Sequence, residues 1–243
     1  MDQASREQRL AEILTHLSQH WETRGKTAPE DRSPPDPFTI ALSRQAGTQG
    51  TAVARELGSR LGWPIYDREL LEQIAHDMKL HTSLLESVDE RRVPWMEGVF
   101  ENLMGVPYVS DSAYARHLIK TILALGAHGE CVIVGRGASF ILPAATTLRV
   151  LLVAPLSDRI ATKSRALGIG RQEAEHRVET VDRERRQFIR GVFAKNLDLT
   201  DNVLYDLVLN VSRFSVAACA QVIIEALRQQ QISGAVKGKV PTP

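Results

Sequence analysis

Residues 38–51 read Phe-Thr-Ile-Ala-Leu-Ser-Arg-Gln-Ala-Gly-Thr-Gln-Gly-Thr, and they decide the fold. The apolar positions Phe38, Ile40 and Leu42 run into a polar, glycine-containing turn, after which Val53, Leu57 and Leu61 recur every four residues. Strand, glycine turn and helix in that order aim unpaired backbone N–H groups and the positive end of a helix dipole at an anion such as phosphate. The same arrangement also serves plain packing of a helix on a sheet. Agreement with G-x-x-x-x-G-K-[ST] is incomplete. With Thr51 as the terminal hydroxyl residue, the first glycine falls on Arg44, the second on Gln49 and the lysine on Gly50.

Outward from this stretch, short β-like runs alternate with helix-length patterns. Strands are expected at 38–42, 64–66, 131–134, 148–153 and 207–211, and helices at 50–61, 68–79, 112–125, 158–167, 171–190 and 215–229. Most of the strand candidates are continuous apolar runs, the pattern of strands covered on both faces. The expected fold is therefore α/β, a doubly wound parallel five-stranded sheet. Gly62 and Gly168 are read as helix stops, with Asp67 and Ser157 or Asp158 as N-caps. Such sheets bind ligands outside the carboxyl ends of their strands. That rule points to residues 43–50, Asp67, Gly135-Arg136-Gly137, Ala154-Pro155 and Asn210.

Three segments fall outside the rhythm. Residues 1–37 comprise an amphipathic helix at 4–22 (Leu10, Ile13, Leu14, Leu17, Trp21) and a linker carrying Pro34, Pro35 and Pro37. That helix either folds back on the main domain or serves as a homodimer or partner-docking element. Within 80–111, Trp95, Phe100, Met104 and Tyr108 read either as core or as the lining of a substrate-side insertion. The tail, 231–243, is expected to fray.

Composition narrows the class. Hydrophobic residues make up 43% of the 243, enough for a core, and 30 basic residues against 29 acidic ones leave no global field for nucleic acid or an anionic membrane. No apolar run approaches the roughly 20 residues that span a bilayer. Met-Asp-Gln-Ala-Ser-Arg-Glu lacks the hydrophobic region of a signal peptide. Cys131 and Cys219 sit in apolar contexts that suit reduced thiols. These features read as a cytoplasmic protein. The histidines show no ligand spacing, including His16 and His20 one turn apart.

Two further features carry chemistry. Arg136 lies between glycines straight after an apolar strand, where its fork either meets a phosphate or pins the loop through a salt bridge. Asp182-Arg183-Glu184-Arg185-Arg186, followed by Phe188 and Arg190, reads as a solvated helix face or as a phosphate clamp. Asp67 is a helix cap by default and a substrate contact in the alternative.

Four separated words resemble the cytidylate kinase-like family, P-loop proteins related to bacterial cytidylate kinase. They are Ser43-Arg44-Gln45-Ala46-Gly47-Thr48-Gln49-Gly50, Leu61-Gly62-Trp63-Pro64-Ile65-Tyr66-Asp67-Arg68-Glu69-Leu70-Leu71, Val132-Ile133-Val134-Gly135-Arg136-Gly137-Ala138 and Tyr205-Asp206-Leu207-Val208-Leu209-Asn210. They occur in register between about residue 38 and residue 230. The resemblance implies a nucleoside-monophosphate-kinase core with ATP phosphates over the 43–51 loop and Mg²⁺ bridging them near Thr48 or Thr51. It implies Arg136 on the acceptor phosphate, with Asp67 and Asp182 on the substrate side. A lid over 170–200 would carry the word Asp182, Arg185, Phe188 and clamp the transferred group with Arg183, Arg185 and Arg186. CMP or dCMP is the default acceptor. The family loop commonly reads Ser-Arg-x-x-Gly-Ser-Gly-Gly, so Gln49 is a departure, as is Val211 after Asn210 in place of Thr. Arg44, at the strand end, is the candidate for the missing positive charge. Alternatives are a non-catalytic nucleotide-binding module and a kinase for another small phosphate acceptor.

Overall fold

Strand β1 (Thr39–Arg44) is buried over its first four residues and forms the centre of the sheet. The computed structural model describes residues 38–105, 109–110, 112–193 and 201–237. Its five strands run in the order β2-β3-β1-β4-β5, with β2 Ile65–Tyr66, β3 Val132–Val134, β4 Thr147–Val153 and β5 Leu207–Asn210, all parallel. Leu42 is in register with Val134 on one side and Val150 on the other. The doubly wound parallel sheet expected from the apolar runs is present. The helix at 4–22, its linker and Tyr108 lie outside the described residues.

Alternation along the strands divides the core in two. Ile40, Leu42, Val132, Val134, Val150 and Leu152 face α1 (Gly50–Leu61) and α9 (Val216–Lys237), packing on Val53, Leu57, Ile223 and Leu227. Ala41, Tyr66 and Ile133 face α2 (Arg68–His76), α3 (Met78–Glu86), α4 (Val93–Met104), α5 (Ala113–His128) and α6 (Ala138–Ile141). Each fully buried Leu or Ile contributes roughly 1.5–3 kcal/mol. The helices after β1 and β3 thus cover opposite faces, so the loops leaving these neighbouring strands diverge. A crevice opens between them at the carboxyl edge, as expected where the winding reverses. Helices α7 (Leu156–Leu167) and α8 (Arg171–Val192) pack together and close over that edge.

Three expectations are corrected, and the described part of 80–110 takes the core alternative. The helix expected at 68–79 breaks at Asp77, whose extended backbone (φ −88°, ψ 106°) ends α2 while its carboxylate accepts from Leu80 N and starts α3. Helix α7 begins at Leu156 after Pro155, ahead of the expected Ser157 or Asp158 caps. The tail continues as helix α9 through Lys237 instead of fraying from residue 231. Between residues 80 and 110, α3 and α4 contribute Leu84, Met96 and Phe100 to the core, with Trp95 and Met104 packed against it.

Candidate active site

The loop leaving β1 is built as an amide-lined concavity. Gln45 N–H donates to Leu152 O at 3.0 Å, and Gln45 Oε1 accepts from Ala154 N at 3.1 Å, so the loop is tied to β4. The Thr48 hydroxyl donates to Gln45 O at 2.8 Å and is buried. Gln49, in the left-handed region (φ 54°), precedes α1 without giving a side-chain cap. Among the described residues, the N–H groups of Gly47, Gln49, Gly50 and Thr51 have no protein acceptor. No acidic side chain occupies the first turn of α1. Orphan donors at the start of a 12-residue helix form an anion-binding surface.

Arg44 explains why Gly50 stands at the lysine position. A Cβ on Gly50 would lie 2.8 Å from Arg44 Cγ, so the arginine stem already fills the space from which a longer side chain would start. Its guanidinium reaches the mouth of β3, where a Cβ on Gly135 would collide with Nη1. Loss of water lowers the Arg44 pKa to about 10, and the Arg185 charge adds to the shift while Asp67 opposes it.

At that second mouth, Gly135, Arg136 and Gly137 all have positive φ (81°, 51° and 80°). This conformation directs the Arg136 side chain back over the sheet edge, where it pairs with Glu72 and lies 4.0 Å from the Phe188 ring centre. Its Nε is buried without a partner. Burial lowers its pKa, with Glu72 opposing. Of the two roles open to Arg136, the salt bridge that holds the loop is the one formed in this structure.

Helix α8 closes the edge. Asp182 Oδ1 accepts from Ala46 N at 2.7 Å, and its Oδ2 lies 2.6 Å from Arg159 Nη1. Arg159 also donates to Ala46 O (3.2 Å) and Ala154 O (3.1 Å). Arg185 donates to Arg44 O at 2.9 Å, and burial lowers its pKa.

Between these elements lies a cavity of about 930 Å³, at the upper end of the usual small-molecule range. Arg44, Arg68, Arg136, Arg159, Arg185 and Arg186 line it, against Glu72, Asp182 and Glu184, leaving a cationic excess. His76 and Tyr114 stack on its wall, centroids 5.1 Å apart. The chain thus brings Ser43, Arg44, Arg136, Asp182, Arg185 and Arg186 to one space.

Other expected site residues fall elsewhere. Gly47, Thr48, Gln49, Gly50 and Thr51 do not line the cavity. Thr48, one of two hydroxyls expected near Mg²⁺, is already bonded within the loop, while Thr51 is exposed. Arg183 corrects the expected clamp: it is exposed, bonds Thr180 at 3.1 Å and lines a separate hollow of about 310 Å³ between α7 and α8. Asp67 accepts from Leu70 N as a cap and Asn210 from Ser212 N, and neither lines the cavity. None of the described residues of 80–110 lines it either.

The sequence reading missed Arg159, Glu72, His76 and Tyr114. The i, i+4 spacing of Arg68 and Glu72, a pair that forms at 3.4 Å, was the available signal for Glu72. Arg159 lies one turn beyond the exit of β4, at the sheet edge already expected to bind ligands.

Comparison with known proteins identifies a family. Residues 39–213 match the cytidylate kinase-like family. The chain belongs to that family. A cytidylate kinase of Methanopyrus kandleri is 34% identical over 96 residues, 36% of this chain and 49% of that protein. The chain therefore spans about half the length of the curated relative it matches. Among solved structures, an uncharacterized protein from Eubacterium ventriosum superposes with a TM-score of 0.61 at 20% identity, covering 79% of this chain and 98% of that one. The latter is a likeness of fold. The family match covers both the β1 loop and the Arg136 mouth.

Proposed function

We propose that this cytidylate kinase-like chain is an ATP-dependent phosphotransferase that moves the γ-phosphoryl group to a nucleoside monophosphate, with CMP or dCMP the first acceptors to test. The observation that carries the reading is the pairing of an unbonded amide surface at 47–51 with an adjoining cavity rich in arginine. Polyphosphate suits the first, because helix-start amides and an absence of nearby carboxylates both favour an anion. The second suits a phosphorylated acceptor, because planar guanidinium forks match phosphate oxygens.

The residues present fit a donor nucleotide with Mg²⁺. Gly47, Gln49, Gly50 and Thr51 would hold phosphate through their amides, and the unbonded Thr51 hydroxyl would be available to the ion. Magnesium would supply charge neutralisation on the phosphates. Arg44 provides a positive charge between the two mouths, and Arg136 orients the acceptor phosphate. Arg185 and Arg186 face the transferred group, while α8 excludes water that would otherwise hydrolyse ATP.

Purified protein with Mg-ATP and a panel of nucleoside monophosphates tests this by ADP release. Turnover with CMP or dCMP is expected. Saturable ATP binding without turnover on any acceptor would select a nucleotide-binding regulatory module instead. Two observations favour that second reading: the Ala46 amide is already taken by Asp182, and the loop carries Gln49 and no lysine. Turnover confined to a non-nucleotide acceptor would select a kinase of different specificity.

A further inference from the structure

Arg159 and Asp182 make the contact least accounted for by the roles assigned so far. A carboxylate rests on a backbone N–H of the phosphate loop, at 2.7 Å from Ala46 N, while a guanidinium grips its other oxygen at 2.6 Å. One amide and one guanidinium converging on two oxygens of a single anion is the donor set that a phosphoryl group also satisfies. The position is built into the fold. Gly47 (φ 86°) has no Cβ, and one added there would lie 2.5 Å from Arg159 O, so α7 is seated directly on the loop. Arg159 is further fixed by Ala46 O and Ala154 O, and its side chain is only 11% exposed. The ion pair also lies on the boundary between the two hollows, since both residues line each of them.

We infer that the Ala46 amide and Arg159 form a subsite for a phosphoryl group of the donor polyphosphate, occupied in this structure by the carboxylate of Asp182. The inference rests on the donor reading of the 43–51 loop. Binding exchanges one anion for another: phosphate displaces Asp182, Arg159 keeps an anionic partner, and α8 loses one of its tethers to the loop. Arg185, which holds Arg44 O and lies 3.8 Å from Asp182, is positioned to receive the displaced carboxylate. Arg159 is thus a phosphate ligand that the motif words did not contain, and Asp182 is a competitor for its site.

Opposite signs in two variants test this. Calorimetry with inorganic tripolyphosphate compares the wild type with Asp182→Asn, Arg159→Ala and Arg159→Lys. Removing the competing charge tightens binding about tenfold, and removing the guanidinium weakens it about tenfold, by the strength of a charge-assisted contact. Arg159→Lys keeps a charge but loses the fork and weakens binding less. If the ion pair is only a strut between helix and loop, breaking it from either side moves affinity in the same direction, and that result overturns the subsite. A wild type that does not bind tripolyphosphate overturns it too. Should Arg159→Ala fail to fold, the opposed shifts of Asp182→Asn and Arg159→Lys carry the same decision. The outcomes separate from those of the proposed activity. Opposite signs without ADP release on any acceptor sink the kinase and leave the subsite standing. ADP release with both variants shifted in the same direction does the reverse.

Discussion

The loops leaving β1 and β3 start from the same local recipe, an apolar strand running into a glycine-flanked turn and then a helix, yet they end as different instruments. The β1 loop keeps its backbone donors: four amides stay without protein acceptors, and its one enclosed charge, Arg44, is directed across to the neighbouring strand. The β3 loop does the opposite. It leads into a single turn of helix, α6, and places its charge at the centre, with Arg136 held by Glu72 and Phe188. A diffuse amide surface tolerates a polyphosphate of varied pose, whereas a clamped guanidinium selects one position. On the proposed reading, the first mouth suits the donor and the second the acceptor.

Several substitutions would break or sharpen that contrast. The largest effect is expected from Gly47→Ala, because the new methyl meets rigid backbone at Arg159 O and sits on a left-handed residue. Stability should fall by about 3 kcal/mol, together with donor binding. Gly135→Ala should cost only about 1–2 kcal/mol, since the atom it meets is the movable end of Arg44. Equal losses in thermal unfolding would erase the distinction between a seated loop and an adaptable one.

Next in size is Arg136→Met, which removes a charge whose side chain is 9% exposed and leaves Glu72 with Arg68 alone. A loss of about 2–3 kcal/mol is expected for a partly enclosed pair. Kinetically the acceptor KM should rise at least tenfold with the ATP KM little changed. A rise confined to the ATP KM would exchange the two mouths.

A smaller gain is expected from Gln49→Gly. A non-glycine side chain at φ 54° is strained, so relief should return about 0.5 kcal/mol and strengthen tripolyphosphate binding several-fold. An unchanged affinity would mean that the exposed Gln49 side chain leaves the approach of phosphate unhindered.

The least effect is one of pH. Burial lowers the Arg44 pKa to about 10, below the ordinary guanidinium value. Anion affinity should decline by a few-fold as pH rises through 10, and Arg44→Ala, already weaker, should lack this decline. Without ligand the sign reverses for stability. The unfolded chain holds the Arg44 proton more tightly, so this residue's contribution to stability increases as pH rises above about 10.

The sheet was legible because buried parallel strands write themselves as apolar runs, and helix α1 because glycine brackets a four-residue repeat. Asp67 was legible as a cap for the same local reason. Misreadings arose where a residue serves two neighbours, as Asp77 does in ending one helix and starting the next. The arginine run on α8 shows a different limit. Read as a single clamp it included Arg183, but about 100° per residue puts Asp182, Arg185, Arg186 and Ile189 on one stripe and turns Arg183 aside. Arg159 and Tyr114 were invisible for a third reason, since their partners are distant in sequence and belong to no local pattern.

The wedge of Arg44 between Gly50 and Gly135 has a mechanical corollary. A lysine on a pliable chain can travel with a phosphoryl group as it passes from one oxygen to another. A guanidinium whose stem is packed against Gly50 at a strand end keeps only its tip free, so it swings over a short arc and the reacting partners must approach that arc. Such a catalyst would owe its speed to how far its cover descends and little to any journey made by its cation.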